Sequence, residues 1–372
     1  METSGTATDR RTPLDDLARV VAAEGPFLTA YLTTEGDVEN AAQRSELRWK
    51  NLRAEAAEAG ADEAVLAAVD PLVADAHQWG GCLAAVATTD GLRHLEYGPE
   101  TRAGDLAVWS SLPRLAQVVE WRQTSPPFVV VLTDRTGADL YAFRREGPDI
   151  HRDERGEEAS RVKPGGWSQR RFQERAENTW DRNARAVAEA VVRLATQVRA
   201  RLIVAAGDVR AMQLLREALP DQALDRLDVR DGEVWEGRSI DDVRDDIETV
   251  VRATADRDTA SLLETWQEER GQADRATDGP EATIDALRRA QVEVLLLHDD
   301  PEDRRWAWFG PSPTDLSTDL DAIRAAGVAT PREGRLVDVL VRAALGTGAD
   351  VRIVPAEGGP RDGVGAVLRW SD

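Results

Sequence analysis

Apolar positions along the chain switch repeatedly between helical spacing and short continuous or alternating runs. A β-rich run, Phe27 to Thr33, is followed by helical patterns over Ala41 to Ala59 and Ala61 to His77, and then by a second β-rich run, Gly81 to Thr88. This switching predicts an α/β or α+β unit over residues 13–124. The Pro126-Pro127 step breaks the pattern and marks a boundary. Beyond it, Phe128 to Leu132 and Ala138 to Phe143 read as a hairpin joined by Thr133-Asp134-Arg135-Thr136-Gly137, whose glycine suits a turn needing positive φ. A long helix from Gln169 to Arg199, a strand from Arg201 to Ala206, Gly207 and a helix from Val209 to Leu219 follow. Polar residues from Gly271 to Pro280 read as a linker. The last stretch alternates a helix at Thr283 to Ala290, strands at Val292 to His298 and Arg305 to Phe309, helices near Leu316 to Ala326 and Leu336 to Leu345, and strands at Val351 to Val354 and Ala366 to Trp370. Three α/β domains are expected, at 13–124, 125–275 and 280–372, after a disordered tail at 1–12. Trp306 and Trp308 alternate within a strand, so they share one face and are read as core or interface. Glu264 to Glu269 reads as a solvated helix face.

Length agrees with this division, because 372 residues exceed what one hydrophobic core usually supports. No apolar run approaches the roughly 18 to 20 residues that span a bilayer. Residues 1–12 carry Arg10 and Arg11 with no apolar stretch behind them, so neither a signal peptide nor a membrane anchor is expected. Cys82 is the only cysteine, and His77, His94, His151 and His298 stand too far apart for a local zinc motif. A cytoplasmic protein without metal or cofactor is expected. The net charge of -21 argues against non-specific nucleic-acid binding, unless positive charge is concentrated somewhere.

It is concentrated in one place. Between Arg161 and Arg185 stand seven cations (Arg161, Lys163, Arg170, Arg171, Arg175, Arg182, Arg185) and three acids (Glu174, Glu177, Asp181). At helical spacing Phe172, Ala176, Trp180, Ala184, Val187 and Val191 fall on one face, and Arg171, Arg175, Arg182 and Arg185 on the opposite one. Such a stripe suits bidentate contacts along a phosphate backbone, although a solvated face has the same pattern. Immediately before it, Pro164-Gly165-Gly166 offers two residues without side chains, able to enter a narrow space, and Ser168 can cap the helix.

Gly165-Gly166, one residue, Ser168, then Arg171 and Phe172 at the start of an arginine-bearing helix resembles the tip loop of archaeal and eukaryotic release factors, which reads Gly-Gly-Gln, within the superfamily that also includes Pelota. The resemblance covers residues 128 to about 275 and extends more weakly over 281–372; it is closest to the bacterial branch that includes Balon-type hibernation factors. It implies an N-terminal α/β domain, a ribonuclease H-like middle domain and a C-terminal α/β/α sandwich of the ribosomal L7Ae/L30e type. It implies a factor that occupies the ribosomal A site and brings loop 164–169 to the peptidyl transferase centre, and a translational GTPase as partner of the C-terminal domain. Lys163, Gly165, Gly166, Trp167, Ser168, Gln169, Arg170, Arg171, Arg175, Arg182 and Arg185 are then the residues expected against ribosomal RNA or tRNA.

Trp167 stands where the family has its glutamine, and an indole cannot position the hydrolytic water. It can stack on an unpaired base, which suits a plug without chemistry and makes ribosome hibernation the first reading. Gly166-Trp167-Ser168-Gln169 also resembles the Gly-x-x-Gln variant of Vms1-like peptidyl-tRNA hydrolases, with Gln169 as the candidate catalytic residue in ribosome rescue. No stop-codon motif of the Asn-Ile-Lys-Ser type occurs in residues 1–124. A third reading is an RNA-binding protein or a two-metal nuclease built on Asp134 and Asp208, although further carboxylates are not evident and Asp134 before Gly137 reads more simply as a turn residue. His298-Asp299-Asp300-Pro301-Glu302-Asp303 is a weaker cation candidate; an acidic turn at a strand end explains it as well.

Overall fold

The computed structural model describes residues 14–34, 40–76, 81–99, 104–144, 149–156, 169–230, 240–272 and 275–371. Among these, no helix is long and apolar enough to cross a membrane. The expected tail at 1–12 lies outside them. The chain is a mixed α/β molecule with four sheets among the described residues, and it divides into two units, residues 124–257 and the two flanking segments together.

The flanking unit begins with α1 (Asp15–Ala22), β1 (Phe27–Thr33), α2 (Ala41–Glu58), α3 (Glu63–Ala76), β2 (Cys82–Thr88), β3 (Gly91–Gly98), β4 (Leu106–Ser110) and α4 (Ala116–Thr124). The four strands form an antiparallel sheet in the order β3-β2-β1-β4. Both central strands are apolar at nearly every position because both faces are covered. Leu28, Ala30, Leu32, Leu83, Ala85 and Ala87 pack under α2 and α3 with Trp49, Val65, Leu66 and Val69. Phe27, Tyr31, Cys82, Ala84 and Val86, one residue out of phase, enter a second core.

The middle unit contains β5 (Phe128–Thr133), β6 (Gly137–Phe143), β7 (Ile150–Arg155), α5 (Gln169–Val198), β8 (Leu202–Gly207), α6 (Val209–Ala218), α7 (Asp221–Leu224), β9 (Leu227–Val229) and the first half of α8 (Arg244–Gly271). Its sheet runs β7-β6-β5-β8-β9, an antiparallel meander on one side and parallel strands on the other. Val129, Val131, Leu140 and Ala142 face α5 and α6, where Val187, Val191, Leu194, Val198, Met212 and Leu215 complete a core. Val130, Val204 and Ala206 face the opposite way, onto Val243, Ile247, Val250 and Val251. Helices therefore cover both faces of a mixed sheet.

From the second half of α8 the chain returns to the flanking unit with β10 (Ala276–Asp278), α9 (Pro280–Arg288), β11 (Val292–Leu297), β12 (Trp306–Phe309), β13 (Leu316–Ser317), α10 (Leu320–Ala325), β14 (Arg332–Arg335), α11 (Leu336–Gly346), β15 (Asp350–Ile353) and β16 (Val364–Leu368). The sheet β10-β16-β11-β15 carries Trp266, Leu262 and Leu263 of α8 against Leu296, Val354 and Val367. Its other face meets α9 and α11. Every residue of α11 from Leu336 to Leu345 is buried, which identifies it as a central helix. Leu17, Val20, Phe27, Tyr31, Val118 and Trp121 from the first segment share one core with Leu287, Leu295, Leu297, Phe309, Val337 and Leu340 from the last.

Several local expectations are corrected. The stretch read as a linker supplies β10, whose three residues pair with β16. The helix expected near Leu316 to Ala326 starts only at Leu320, because Leu316 and Ser317 pair with Phe309 and Trp308 and Asp319 caps the helix by accepting from the amides of Asp321 and Ala322. Trp306 and Trp308 do share a face, but it is the outer one: Trp306 is 57% exposed, while Ala307 and Phe309 point inward. Within the acidic run Glu264 to Glu269, Trp266 is completely buried and donates from Nε1 to the Thr277 carbonyl at 2.9 Å.

Candidate functional site

Helix α5 is the element on which the arginine stripe stands. Its 30 residues correspond to about 45 Å. Ala184, Val187, Ala188, Val191, Leu194 and Val198 are buried, whereas every side chain from Glu177 to Arg182 is half-buried or exposed. Asn183 stands about 21 Å along the helix axis from Gln169. Its first turn holds no acidic residue, whereas Arg170 and Arg171 lie there. Cations at a helix N-terminus oppose the backbone dipole and weaken the helix, so helix stability does not account for their position. The same end concentrates positive potential, as an anionic backbone requires.

Of the residues expected to form the site, Lys163, Gly165, Gly166, Trp167 and Ser168 lie outside the described residues, as does the loop they belong to. Gln169, Arg170, Arg171 and Arg175 are placed as backbone positions of α5. Arg171, Arg175, Arg182 and Arg185 occupy one arc of the helix, opposite the buried positions Ala184, Val187 and Val191. The side chains of Arg182 and Arg185 are exposed, that of Arg185 by 69%. Arg185 pairs with Asp181 at 2.8 Å. Arg182 reaches back to the Asn178 carbonyl and the Thr179 hydroxyl, each at 3.4 Å. Exposed pairs of this kind contribute little and exchange readily for phosphate.

Of the residues behind α5, sequence reasoning did not single out Arg135 or Asn183, and named Asp208 only as a nuclease carboxylate. Arg135, in the turn between β5 and β6, binds Asp208 through two hydrogen bonds of 3.0 Å and lies over the Trp180 ring at 5.0 Å from its centroid. The Asn183 side-chain amide donates to the Arg135 carbonyl at 3.1 Å. Only the spacing of Trp180 on the apolar arc hinted at this contact.

The two carboxylates considered for a nuclease are both occupied structurally. Asp134 Oδ1 accepts from the backbone amides of Thr136 and Gly137 and from the Thr136 hydroxyl, closing the turn. Burial alone would raise Asp134; these bonds outweigh it and hold the carboxyl below its ordinary value. Asp208 caps α6 through the amides of Arg210 and Ala211, and its hydrogen bond with Arg135 lowers its pKa. In the acidic turn after β11, Asp299 pairs with Arg335, Asp303 with Arg305, and Asp300 accepts from the Glu302 amide. Among the described residues no group of three histidine, cysteine or acidic side chains is arranged to hold a metal.

Residues 127–272 match the family described as bacterial archaeo-eukaryotic release factor family 2. Two uncharacterized proteins of Mycobacterium tuberculosis, MT2704 of strain CDC 1551 and Rv2629 of strain H37Rv, are each 25% identical over 376 residues, covering 95% of this chain and 95% of their own. Among solved structures, Archaeoglobus fulgidus Pelota aligns at 14% identity over 97% of this chain and 92% of its own, with a TM-score of 0.35. Saccharomyces cerevisiae Dom34, described as a translation termination-like factor involved in RNA quality control pathways and interacting with Hbs1, aligns at 10% identity over 78% and 86%, with a TM-score of 0.40. At such scores these alignments carry no argument about shape, and the family match extends over residues 127–272 only.

Proposed function

We propose that this protein, whose residues 127–272 match bacterial archaeo-eukaryotic release factor family 2, is a cytoplasmic, ribosome-associated translation factor. In this reading it enters the A site with its middle unit foremost and directs loop 164–169 at the peptidyl transferase centre, keeping an idle ribosome in hibernation. The observation that carries it is α5: a helix with four arginine positions on one arc, Arg182 and Arg185 among them exposed, and with Arg170 and Arg171 in a first turn that holds no acidic residue. Lys163, Arg170, Arg171, Arg175, Arg182 and Arg185 would meet phosphates, and Trp167 would stack on an unpaired base. The C-terminal segment is the proposed contact for a translational GTPase, an assignment that rests on the family resemblance alone.

A second reading follows from one residue. Gln169 stands at the end of Gly166-Trp167-Ser168-Gln169, so peptidyl-tRNA hydrolysis in ribosome rescue is the alternative. The nuclease reading loses its support, since Asp134 and Asp208 are held as a turn residue and a helix cap.

Co-sedimentation of the purified protein with vacant ribosomes tests the first reading, followed by an assay for peptide release from a stalled peptidyl-tRNA complex. Binding without release is expected, and Gln169→Ala should leave binding and inhibition of translation unchanged. Release that disappears in Gln169→Ala would replace hibernation by rescue. Absence of binding at physiological salt would overturn both.

A further inference from the structure

Four side chains meet at the base of α5: Arg135 from the turn between β5 and β6, Asp208 from the cap of α6, and Trp180 and Asn183 from α5 itself. The turn after β5 is rigid, because Asp134 Oδ1 accepts from the Thr136 amide at 2.7 Å, the Thr136 hydroxyl at 2.6 Å and the Gly137 amide at 2.9 Å. From this turn Arg135 extends between Asp208, itself fixed as the cap of α6, and the Trp180 ring of α5. The Arg135 carbonyl accepts from Asn183, one helical turn beyond Trp180. Gly156, at the end of β7, donates to the Thr136 carbonyl at 2.7 Å. A Cβ on Gly156 would lie 2.0 Å from Asn183 Oδ1, so the strand end and the helix are in contact there.

We propose that Arg135, Trp180, Asn183 and Asp208 are positioning residues that set the direction in which α5 leaves the body of the middle unit. Two contacts three residues apart on one helix face resist both tilting and rotation, which a single contact does not. Both are directional, one a guanidinium over an aromatic face and one a hydrogen bond, so they constrain angle as well as distance. They also sit where apolar packing gives out. Trp180 is half-buried, Asn183 is 7% exposed, and the continuous apolar core of α5 starts immediately afterwards. A hydrophobic side chain at 180 would add area without fixing an angle. Gly156 holds the last strand residue before position 157 against the same Asn183, so the described chain on both sides of residues 157–168 is referred to one turn. A small angular error at this point is multiplied along the 21 Å of helix ahead of it.

This inference rests on the ribosomal reading only for its purpose, and its test uses the free, full-length chain. Spin labels are placed at Glu177→Cys, ahead of the four residues, and at Glu217→Cys on α6; Cys82 is buried and stays unlabelled. A second pair, Arg193→Cys with Glu217→Cys, reports on the packed half of the helix. For the first pair, Trp180→Ala, and the exposed-side variant Arg135→Ala should the tryptophan variant fail to fold, are expected to widen the distance distribution at least twofold. The second pair should be unchanged. Trp180→Phe, which keeps a flat ring beneath the guanidinium, should retain the narrow distribution. Unchanged widths for the first pair, or equal widening of both pairs, would overturn the assignment. Failure of the wild-type protein to bind ribosomes would sink the proposed function and leave this measurement standing.

Discussion

Gly207 ends β8 with φ at +148°, and a Cβ there would lie 1.8 Å from the Thr133 carbonyl oxygen of the neighbouring parallel strand. The backbone conformation and the close approach both require glycine. Gly207→Ala is expected to destabilise the middle unit by on the order of 3 kcal/mol, read from its denaturant midpoint. Asp338 is the other residue whose environment decides a property. It is fully buried in α11, and burial pushes its pKa up to about 7, against the opposing charges of Arg335 and Arg114 and with added repulsion from Asp299. Its Oδ1 lies 3.8 Å from Arg335 and has no hydrogen bond. The folded state keeps this proton up to about pH 7, whereas the unfolded chain releases it near 3.8. The contribution of Asp338 to stability is therefore fully present below the unfolded value and falls as pH rises towards 7. Asp16 and Glu96, which interact with Arg122, have lowered pKa values, and their contribution is lost only in acid. Urea unfolding at pH 5 and pH 8 should thus show Asp338→Asn gaining relative to wild type at pH 8 and much less at pH 5.

At the scale of elements, α5 was readable in advance because its periodicity is local: apolar residues on one arc and arginines on the other require nothing beyond 3.6 residues per turn. The expected span, Gln169 to Arg199, differs from the observed one by a single residue. The stripe makes a direct prediction. Arg171→Glu with Arg175→Glu should weaken ribosome association roughly tenfold or more and flatten its dependence on salt, measured by co-sedimentation across a salt series. Unchanged association would remove the phosphate-contact argument. Short elements were less legible. Leu316 reads as helical, yet it sits in a two-residue strand, because pairing with Phe309 outweighs local preference. Alternation at Trp306 and Trp308 was visible but its phase was not. Phe309 turns inward beneath the guanidinium groups of Arg332 and Arg342, and the tryptophans are left on the outer side. The residues around Arg135 were illegible for a related reason: nothing in a turn sequence says which helix will lie over it.

For the molecule as a whole, the acidity that argued against a nucleic-acid partner is unevenly distributed. Residues 124–257 hold 23 cationic and 26 acidic side chains, so most of the net charge of -21 belongs to the flanking unit. The middle unit is nearly neutral and its cations can act locally. The flanking unit, in turn, is assembled from both ends of the chain around one core. A chain cut after residue 257 is therefore expected to expose Phe27, Tyr31, Val118 and Trp121 and to bind a hydrophobic dye without a cooperative melt of residues 14–123. Residues 124–257 alone should melt cooperatively, checked by calorimetry. Hydrophobic periodicity, turn residues and the arginine stripe determined the α/β character, most of the helices and strands and the candidate helix, since each depends on neighbours within a few positions. That residues 14–123 and 258–371 share a core, that Asp208 pairs with Arg135, and that Arg135 meets Trp180 and Asn183 were decided only by tertiary structure, because these contacts join residues tens to hundreds of positions apart and burial chooses among faces that a local pattern leaves equivalent.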